Sequence, residues 1–366
     1  MFTIRDIVSI IEDFAPLALQ EGFDNCGVQV GDVNNEAKGV LLTLDVTIEV
    51  IQEAVAKKCN LIISHHPITL SGIKNLTGSS LSEKIFIKAI QENLVIYTAH
   101  TNIDKVKNGV SGILANKIGL INQQILAPVS NQLIKLVTFV PHNQAEEVRQ
   151  AIFNAGAGHI GNYDSCSYNL KGEGTFRGDE STHPFSGEVG KLHTEPELRI
   201  ETIAPSFLKN RIIKALIEAH PYEEPAYDIY PLNNEWSEVG LGMVGDLQEE
   251  MDITDFLAHL KKTTSTECIR HTQQVGDTIK RVAVCGGSGS SLLGKALAEK
   301  ADVFVTGDYK YHQFFDGIGK IMIADIGHYE SEQFIKGLFL EILTKKIPNF
   351  AFHLSEINSN PIKYFY

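Results

Sequence analysis

Short apolar strand patterns alternate with amphipathic helix patterns at both ends of this chain, and few folds are compatible with that alternation. Near the amino end, strand patterns at 40–44, 61–64 and 94–99 are separated by helix patterns at 48–58 and 82–93. This order is typical of βαβ units, in which helices connect parallel strands and cover the sheet. The sequence therefore predicts the α/β class, with a mostly parallel sheet and flanking helices.

The same order of elements returns in the last third of the chain, with strand patterns at 281–285, 303–306 and 321–325. The segment AVAKKCNLIISHHP (54–67) matches ALAEKADVFVTGDY (296–309) in its order of helix end, lysine, buried strand and polar turn. We interpret the two parts as duplicated βα units that form one sheet. Chance similarity is the alternative, because the pattern is a common one.

The middle of the chain follows a different order of elements. Strand and helix patterns alternate from residue 133 to residue 155, a glycine-rich irregular stretch covers 156–190, and a strand, a helix and a strand follow. A β-α-β-β-α-β order in about 100 residues is the ferredoxin-like plan. We therefore predict an inserted ferredoxin-like (α+β) domain at 132–232 and a discontinuous core domain formed by 1–131 and 233–366.

Charge and cysteine content exclude several classes of protein. Lys and Arg number 32 against 45 Asp and Glu, and the net charge of −13 argues against general nucleic-acid binding, which depends on many contacts to phosphate. No apolar run approaches the roughly 20 residues that cross a bilayer. The 5 cysteines have no CxxC spacing, which indicates neither a disulfide framework nor a thiolate zinc site. We expect reduced thiols and a cytoplasmic location.

Potential metal ligands occur just beyond the carboxyl ends of three predicted strands. His65 and His66 follow the strand at 61–64, Asp104 follows the strand at 94–99, and His328 and Glu332 follow the strand at 321–325. Ligands bind at this edge of open parallel sheets, so segments that are distant in sequence should converge there. A single histidine after a strand is more often a loop residue, but five such residues at three equivalent strand ends favour a site.

The chemistry of this set favours divalent cations. Neutral imidazole and carboxylate ligands suit Zn, Mn, Fe or Ni, and the absence of thiolates argues against a closed structural zinc site. Carboxylates from Asp104 and Glu332 are available as bridges, so we predict a pair of ions about 3.5–4 Å apart. Nearby residues are better candidates for hydrogen bonding to the ligands or for proton transfer, and they are His100, Asp308, His312 and Asp325.

Several motifs together resemble the GTP cyclohydrolase I type 2 homologues, also called the Nif-three-like family. The motifs occur in family order across essentially the whole chain, and they are FDNCGVQVGD (23–32), SHHP (64–67), AHTNID (99–104), TGDYKYH (306–312) and DIGHYESE (325–332). The segment HPYEEPAYDIYPL (220–232) resembles the PII- and CutA-like domain inserted in longer bacterial members. Phe23 departs from the family pattern, in which many members have Trp.

The resemblance implies a dinuclear site on His65, His66, Asp104, His328 and Glu332, with Zn, Fe or Mn as the metal. It also implies a homo-oligomer, a ring-shaped hexamer. The implied activity is hydrolysis of GTP or a related heterocycle by metal-activated water, with His100 or His312 as a proton shuttle. The alternative is a non-catalytic metal-binding regulatory or scaffold protein whose inserted domain senses a small molecule.

One glycine-rich segment remained open to two interpretations. Residues 285–291 (CGGSGSS) lie between a predicted strand and a predicted helix, where backbone N–H groups can hold a phosphate. The segment has neither the G-x-G-x-x-G spacing nor the lysine of a P-loop, so a tight turn between strand and helix is favoured.

Overall fold

The computed structural model describes residues 2–365 and divides the chain into two compact units. A core unit comprises Met1–Ala127 with Glu238–Tyr366, and an inserted unit comprises Pro128–Ser237. The predicted insertion, 132–232, is a few residues shorter at each end than this unit. Strand propensity cannot locate this boundary, because continuous strands run through both of its ends.

The helices and strands have the following bounds in chain order. The α-helices are α1 (Ile4–Phe14), α2 (Ile48–Ala56), α3 (Leu81–Gln91), α4 (Thr101–Asp104), α5 (Val110–Ile118), α6 (Ala145–Asn154), α7 (Lys209–Ala219), α8 (Ile253–Thr264), α9 (Leu293–Ala298), α10 (His328–Glu332) and α11 (Ile335–Lys346). The β-strands are β1 (Gly27–Val30), β2 (Val40–Thr43), β3 (Leu61–Ser64), β4 (Val95–Thr98), β5 (Ile121–Ser130), β6 (Leu133–Pro141), β7 (Ser167–Phe176), β8 (His193–Pro205), β9 (Tyr227–Leu232), β10 (Glu235–Asp252), β11 (Arg270–His271), β12 (Thr278–Ser288), β13 (Val303–Gly307), β14 (Met322–Asp325) and β15 (Phe352–Leu354).

The core unit contains two sheets where the sequence analysis expected one. The first has the order β1-β4-β3-β2-β15, and the second has the order β11-β14-β13-β12-β10-β5. Strands β2, β3, β4 and β15 are parallel, as are β12, β13 and β14, so the predicted α/β class is confirmed. The single sheet is wrong, because alternating strands and helices predict local direction but not which distant strands pair.

The two sheets repeat one plan. The order β1-β4-β3-β2 corresponds to β11-β14-β13-β12, and in both cases an antiparallel edge strand pairs with the last parallel strand of the unit. Helix α1 precedes β1 as α8 precedes β11. This correspondence supports the predicted duplication of βα units.

A hydrophobic core holds the terminal helices on the first sheet. Helix α1 begins at a capping box in which Thr3 and Asp6 bond each other's backbone N–H groups. Its apolar face packs with α11 through Phe339, which is fully buried against β2 and β3. Burying a side chain of this size contributes about 1.5–3 kcal/mol. Two helices, α10 and α11, follow β14, and α11 anchors the residues that precede it.

Within residues 2–365, no helix combines the length and the apolar character that crossing a bilayer requires. The cysteines are all unpaired, as the sequence analysis expected, and they are Cys26, Cys59, Cys166, Cys268 and Cys285.

The inserted unit has its own sheet and its own core. The strand order is β7-β8-β6-β9 with every neighbouring pair antiparallel, which is the order of the predicted ferredoxin-like plan. Helices α6 and α7 pack on the sheet through Val148, Ile152, Ile212 and Leu216. The expectation of an irregular stretch at 156–190 is wrong for Ser167–Phe176, which is strand β7. Its glycines and charged residues hide the usual strand pattern, because this edge strand is largely exposed.

We expect the core unit to fold without the inserted unit. Strands β5 and β10, through which the chain leaves and re-enters the core unit, are hydrogen-bonded neighbours in the second sheet. A chain in which Ala127 is joined to Glu238 by a short turn would keep both core sheets and should bind divalent metal like the full chain. Circular dichroism melting and metal analysis of the shortened protein test this expectation, and an insoluble product would contradict it.

Candidate metal centre

The five predicted ligands are positioned by turns that follow parallel strands of both core sheets. His65 and His66 come directly after β3, and Asp104 is the last residue of α4, which begins shortly after β4. His328 and Glu332 are the first and last residues of α10, which follows β14. Because the chain leaves each strand at its carboxyl end, these turns can bring side chains from distant segments to one place.

The five side chains lie together in two overlapping groups. One group is His65, Asp104 and Glu332, and the other is His66, His328 and Glu332, with the ligand atoms of each group within 4.8 Å of one another. The Oε1 atom of Glu332 is 3.7 Å from Nε2 of His65, and its Oε2 atom is 3.0 Å from Nε2 of His66 and of His328. The Oδ1 atom of Asp104 is 3.6 Å from Nε2 of His65. Glu332 therefore presents a different carboxylate oxygen to each group.

His100 joins this cluster and His312 does not. The His100 ring lies 5.2 Å from the His65 ring and 5.4 Å from the His66 ring, measured between centroids. Its Nδ1 atom is 2.8 Å from Asp24, which leaves Nε2 for another partner. His312 is exposed in a short 3₁₀ turn, where its ring contacts Tyr311 and Phe315. His312 follows the end of β13 closely in sequence, but its side chain lies in the exposed 3₁₀ turn. Nearness in sequence to the strand end therefore did not predict nearness to the cluster.

Each histidine of the cluster is oriented by a partner on its Nδ1 atom. His65 is 2.8 Å from the carbonyl oxygen of Ala99, His66 is 2.7 Å from Asp45, and His328 is 2.7 Å from Asp308. Such partners set the tautomer and hold the other ring nitrogen toward a metal. The Nε2 atoms of all three rings are therefore the ones turned toward the centre of the cluster.

Two of these partners were missed by the sequence analysis. Asp308 was expected to make a hydrogen bond near the site, but Asp45 and Asp24 were not singled out. Asp45 lies just beyond the carboxyl end of β2, so the strand-end argument that found the ligands could also have found it. Asp325 accepts bonds from the N–H groups of Tyr309 and Gly327, and it shapes the turn before α10.

Two buried polar atoms in the cluster have no hydrogen-bond partner among the described residues. They are Nε2 of His65 and Oδ1 of Asp104, which lie 3.6 Å apart. Burying such an atom without a hydrogen-bond partner costs about 1–3 kcal/mol in mutational data. Imidazole nitrogens and carboxylate oxygens that face one another without bonding are the arrangement expected around a cation. The residues present therefore fit a divalent metal.

The charges of the cluster also favour a cation. Burial alone would lower the pKa of His66, but hydrogen bonds to Asp45 and Glu332 outweigh burial and raise it to about 9. Asp308 and Glu332 likewise overcome the effect of burial on His328 and raise its pKa to about 11. Burial raises the pKa of Asp104 to about 6. Without metal, two imidazoles keep a proton at neutral pH, and a bound cation would replace those protons.

The glycine-rich segment at the carboxyl end of β12 packs against Glu332. Gly287 has a φ of +65°, and a Cβ atom there would lie 2.3 Å from Oε1 of Glu332. Its N–H donates to Ser331, and the N–H of Gly289 donates to Thr306. Because these donors are used within the protein, the tight-turn interpretation is favoured over a phosphate loop. The glycine makes room for the shared carboxylate.

Comparison with known proteins gives whole-chain matches. The family model described as Duf34/NIF3 (NGG1p interacting factor 3) matches residues 2–361. A GTP cyclohydrolase 1 type 2 homolog of Halalkalibacterium halodurans is 42% identical over 326 residues and covers 88% of each chain. The homolog of Bacillus subtilis is 36% identical and covers 98% of each chain. A solved Bacillus cereus protein related to NIF3 is 39% identical, with a TM-score of 0.86, over 100% of this chain and 99% of that chain.

Proposed function

The chain belongs to the Duf34/NIF3 family, and from this we propose that it is a metal-dependent hydrolase with a dinuclear centre. The centre would hold two divalent ions, Zn, Fe or Mn. His65, Asp104 and Glu332 would bind one ion, and His66, His328 and Glu332 would bind the other.

The observation that carries this proposal is the position of the Glu332 carboxylate. Its two oxygens lie within 3.7 Å of histidine nitrogens that belong to different groups. One ion bound by either group would leave the imidazoles of the other group without a metal. Two ions, one held by each group with Glu332 in common, would satisfy both sets of ligands.

When bound, paired divalent ions polarise an electrophile and lower the pKa of a coordinated water toward about 7. The side chains of this protein would orient the histidine ligands and transfer protons. Burial alone would raise the pKa of Asp24, but hydrogen bonds from His100 and Thr101 hold it far below its usual range. Anionic Asp24 keeps a proton on Nδ1 of His100, so that Nε2 can accept a proton beside the cluster.

The relatives' shared name supports the substrate class. Proteins that match this chain along its whole length are called GTP cyclohydrolase 1 type 2 homologs, and a cyclohydrolase opens a heterocycle by adding water. We therefore propose a nucleotide or a related nitrogen heterocycle as the substrate. The predicted hexamer and the cytoplasmic location stay predictions.

The proposal is tested by hydrolysis of GTP with metal-loaded protein. We expect His66→Ala to lower turnover by at least about a hundredfold, because loss of a metal ligand exceeds the 10–100-fold cost of losing a ligand's partner. The matched control is His312→Ala, which removes an exposed imidazole outside the cluster and should keep turnover within about twofold of the unmodified protein.

Equal and negligible rates in the unmodified protein and in His66→Ala would contradict the GTP reaction. If a wider screen of nucleotides and heterocycles also showed no turnover while metal remained bound, hydrolysis would be rejected. The non-catalytic regulatory function would then be favoured.

A further inference from the structure

The inserted unit contains a cavity on the sheet face that its helices leave uncovered. Helices α6 and α7 pack against Leu198 and Ile200 of β8, and side chains alternate along a strand, so Glu197 and Arg199 lie on the opposite face. There the connection between β7 and β8, together with residues 222–226, encloses a cavity of about 690 Å³. Every residue that lines it belongs to the inserted unit.

Aromatic rings form an apolar part of this cavity. The ring of Tyr222 lies 5.7 Å from that of Phe176 and 6.2 Å from that of Phe185, between centroids. All three residues line the cavity, and Phe185 is 52% exposed although it is large and apolar. Rings arranged in this way offer stacking surfaces to a planar ligand.

A buried carboxylate lies beside these rings. Glu197 is only 7% exposed, and its Oε1 atom accepts a hydrogen bond of 2.8 Å from the Tyr222 hydroxyl. Its Oε2 atom lies over Gly174, where a Cβ atom would approach to 2.3 Å. Arg199, two residues along the same strand, instead pairs with Glu201 at 2.9 Å. A carboxylate this deeply buried normally accepts hydrogen bonds from several donors. A single neutral hydroxyl therefore leaves part of the hydrogen-bonding capacity of Glu197 unused.

The Tyr222 end of the cavity is held in place by a neutral histidine. Nε2 of His220 donates to the carbonyl oxygen of Phe139 at 3.0 Å, and Nδ1 accepts from the N–H of Tyr222 at 3.1 Å. Burial lowers the pKa of His220, which agrees with this neutral form. The backbone of Tyr222 is therefore fixed before any ligand binds, and its hydroxyl in turn bonds Glu197.

We infer that this cavity binds a planar small molecule that donates two adjacent N–H groups to Glu197 and stacks on Tyr222. Two chemical sources present such a pair of donors on a flat group, a 2-aminopurine base of the guanine type and a guanidinium group. Either would complete the hydrogen bonding of the carboxylate through a bidentate, charge-assisted contact. This inference does not depend on the activity proposed for the metal centre.

Calorimetric titration of the full-length protein with guanosine, inosine and arginine tests the inference. We expect guanosine or arginine to bind, and inosine, which lacks the exocyclic amine, to bind at least about tenfold more weakly than guanosine if the base is the source. Glu197→Gln should weaken binding by at least about tenfold. Glu195→Gln is the matched control, because Glu195 lies on the same strand and pairs with His193 outside the cavity lining.

Each outcome decides the inference. Binding by guanosine alone identifies a base, and binding by arginine alone identifies a guanidinium group. Binding that persists in Glu332→Gln but is lost in Glu197→Gln locates the ligand in the inserted unit. Absence of binding by guanosine and arginine at millimolar concentration, or unchanged binding in Glu197→Gln, overturns the inference. If Glu197→Gln does not fold, Tyr222→Ala, which removes the stacking ring, replaces it, and unchanged affinity in that variant overturns the inference.

Discussion

Replacing Glu332 by Gln is expected to remove both metal ions in a single step. The substitution keeps the size of the side chain but removes the carboxylate whose two oxygens face separate histidine groups. Loss of one partner of a ligand already costs 10–100-fold in affinity, so we expect loss of a shared ligand to weaken both sites by at least about a hundredfold. Elemental analysis and calorimetric metal titration of the purified variant provide the measurement.

The fold should survive this change, because α11 remains anchored by Phe339 and its apolar neighbours. We expect the melting temperature of the metal-free variant to lie within about 4 °C of the unmodified protein. Glu330→Gln is the matched control, since Glu330 is equally buried on the same helix but bonds Asn360 outside both groups. Loss of only one metal equivalent in Glu332→Gln would contradict a shared carboxylate.

The second large effect should come from a residue that binds no metal. We expect Gly287→Ala to lower metal affinity by at least about tenfold, because the new methyl group would lie 2.3 Å from Oε1 of Glu332 and must displace it. The positive φ of Gly287 adds a backbone cost of about 1–3 kcal/mol for any other residue. Metal titration and thermal melting together measure the two consequences.

A second glycine provides the control for this prediction. A Cβ atom at Gly294, in helix α9, meets nothing within 4 Å. Gly294→Ala should therefore leave metal binding unchanged and stabilise the protein by about 0.5–1 kcal/mol, as alanine does within a helix. If Gly287→Ala bound metal as tightly as Gly294→Ala, the contact between Gly287 and Glu332 would not position the carboxylate.

The metal-ligand candidates show which parts of the site local sequence patterns could predict. His65, Asp104 and Glu332 were predicted to converge because each follows a strand, and the carboxyl ends of parallel strands in one sheet meet at one edge. Apolar runs and intervening helices do indicate the direction of each strand, but β3 and β4 belong to the first sheet and β14 to the second. Glu332 therefore meets His65 and Asp104 through packing between the two sheets. Local patterns also could not predict that Asp24 and Asp45 would orient His100 and His66, because those contacts depend on how separate turns approach one another.

The inserted unit contains a strand that local sequence patterns did not reveal. Its β-α-β-β-α-β order was predicted although strand β7 was not recognised, since Gly172 and Gly174 weaken the strand pattern. Those glycines lie beside the cavity, where Gly174 makes room for Glu197. Because β7 borders a cavity, it lacks the alternation of apolar and polar residues by which a strand is recognised in sequence.

Local sequence patterns were enough to predict the α/β class, the duplicated βα units and the residues at the strand ends. These properties follow from hydrophobic periodicity, which reports the direction and the buried face of each element. The division of the core into two sheets, the position of His312 outside the cluster and the contact of Glu332 with both histidine groups became known from the folded structure. Strand pairing and contacts between distant turns depend on packing between segments, and no local pattern encodes that packing.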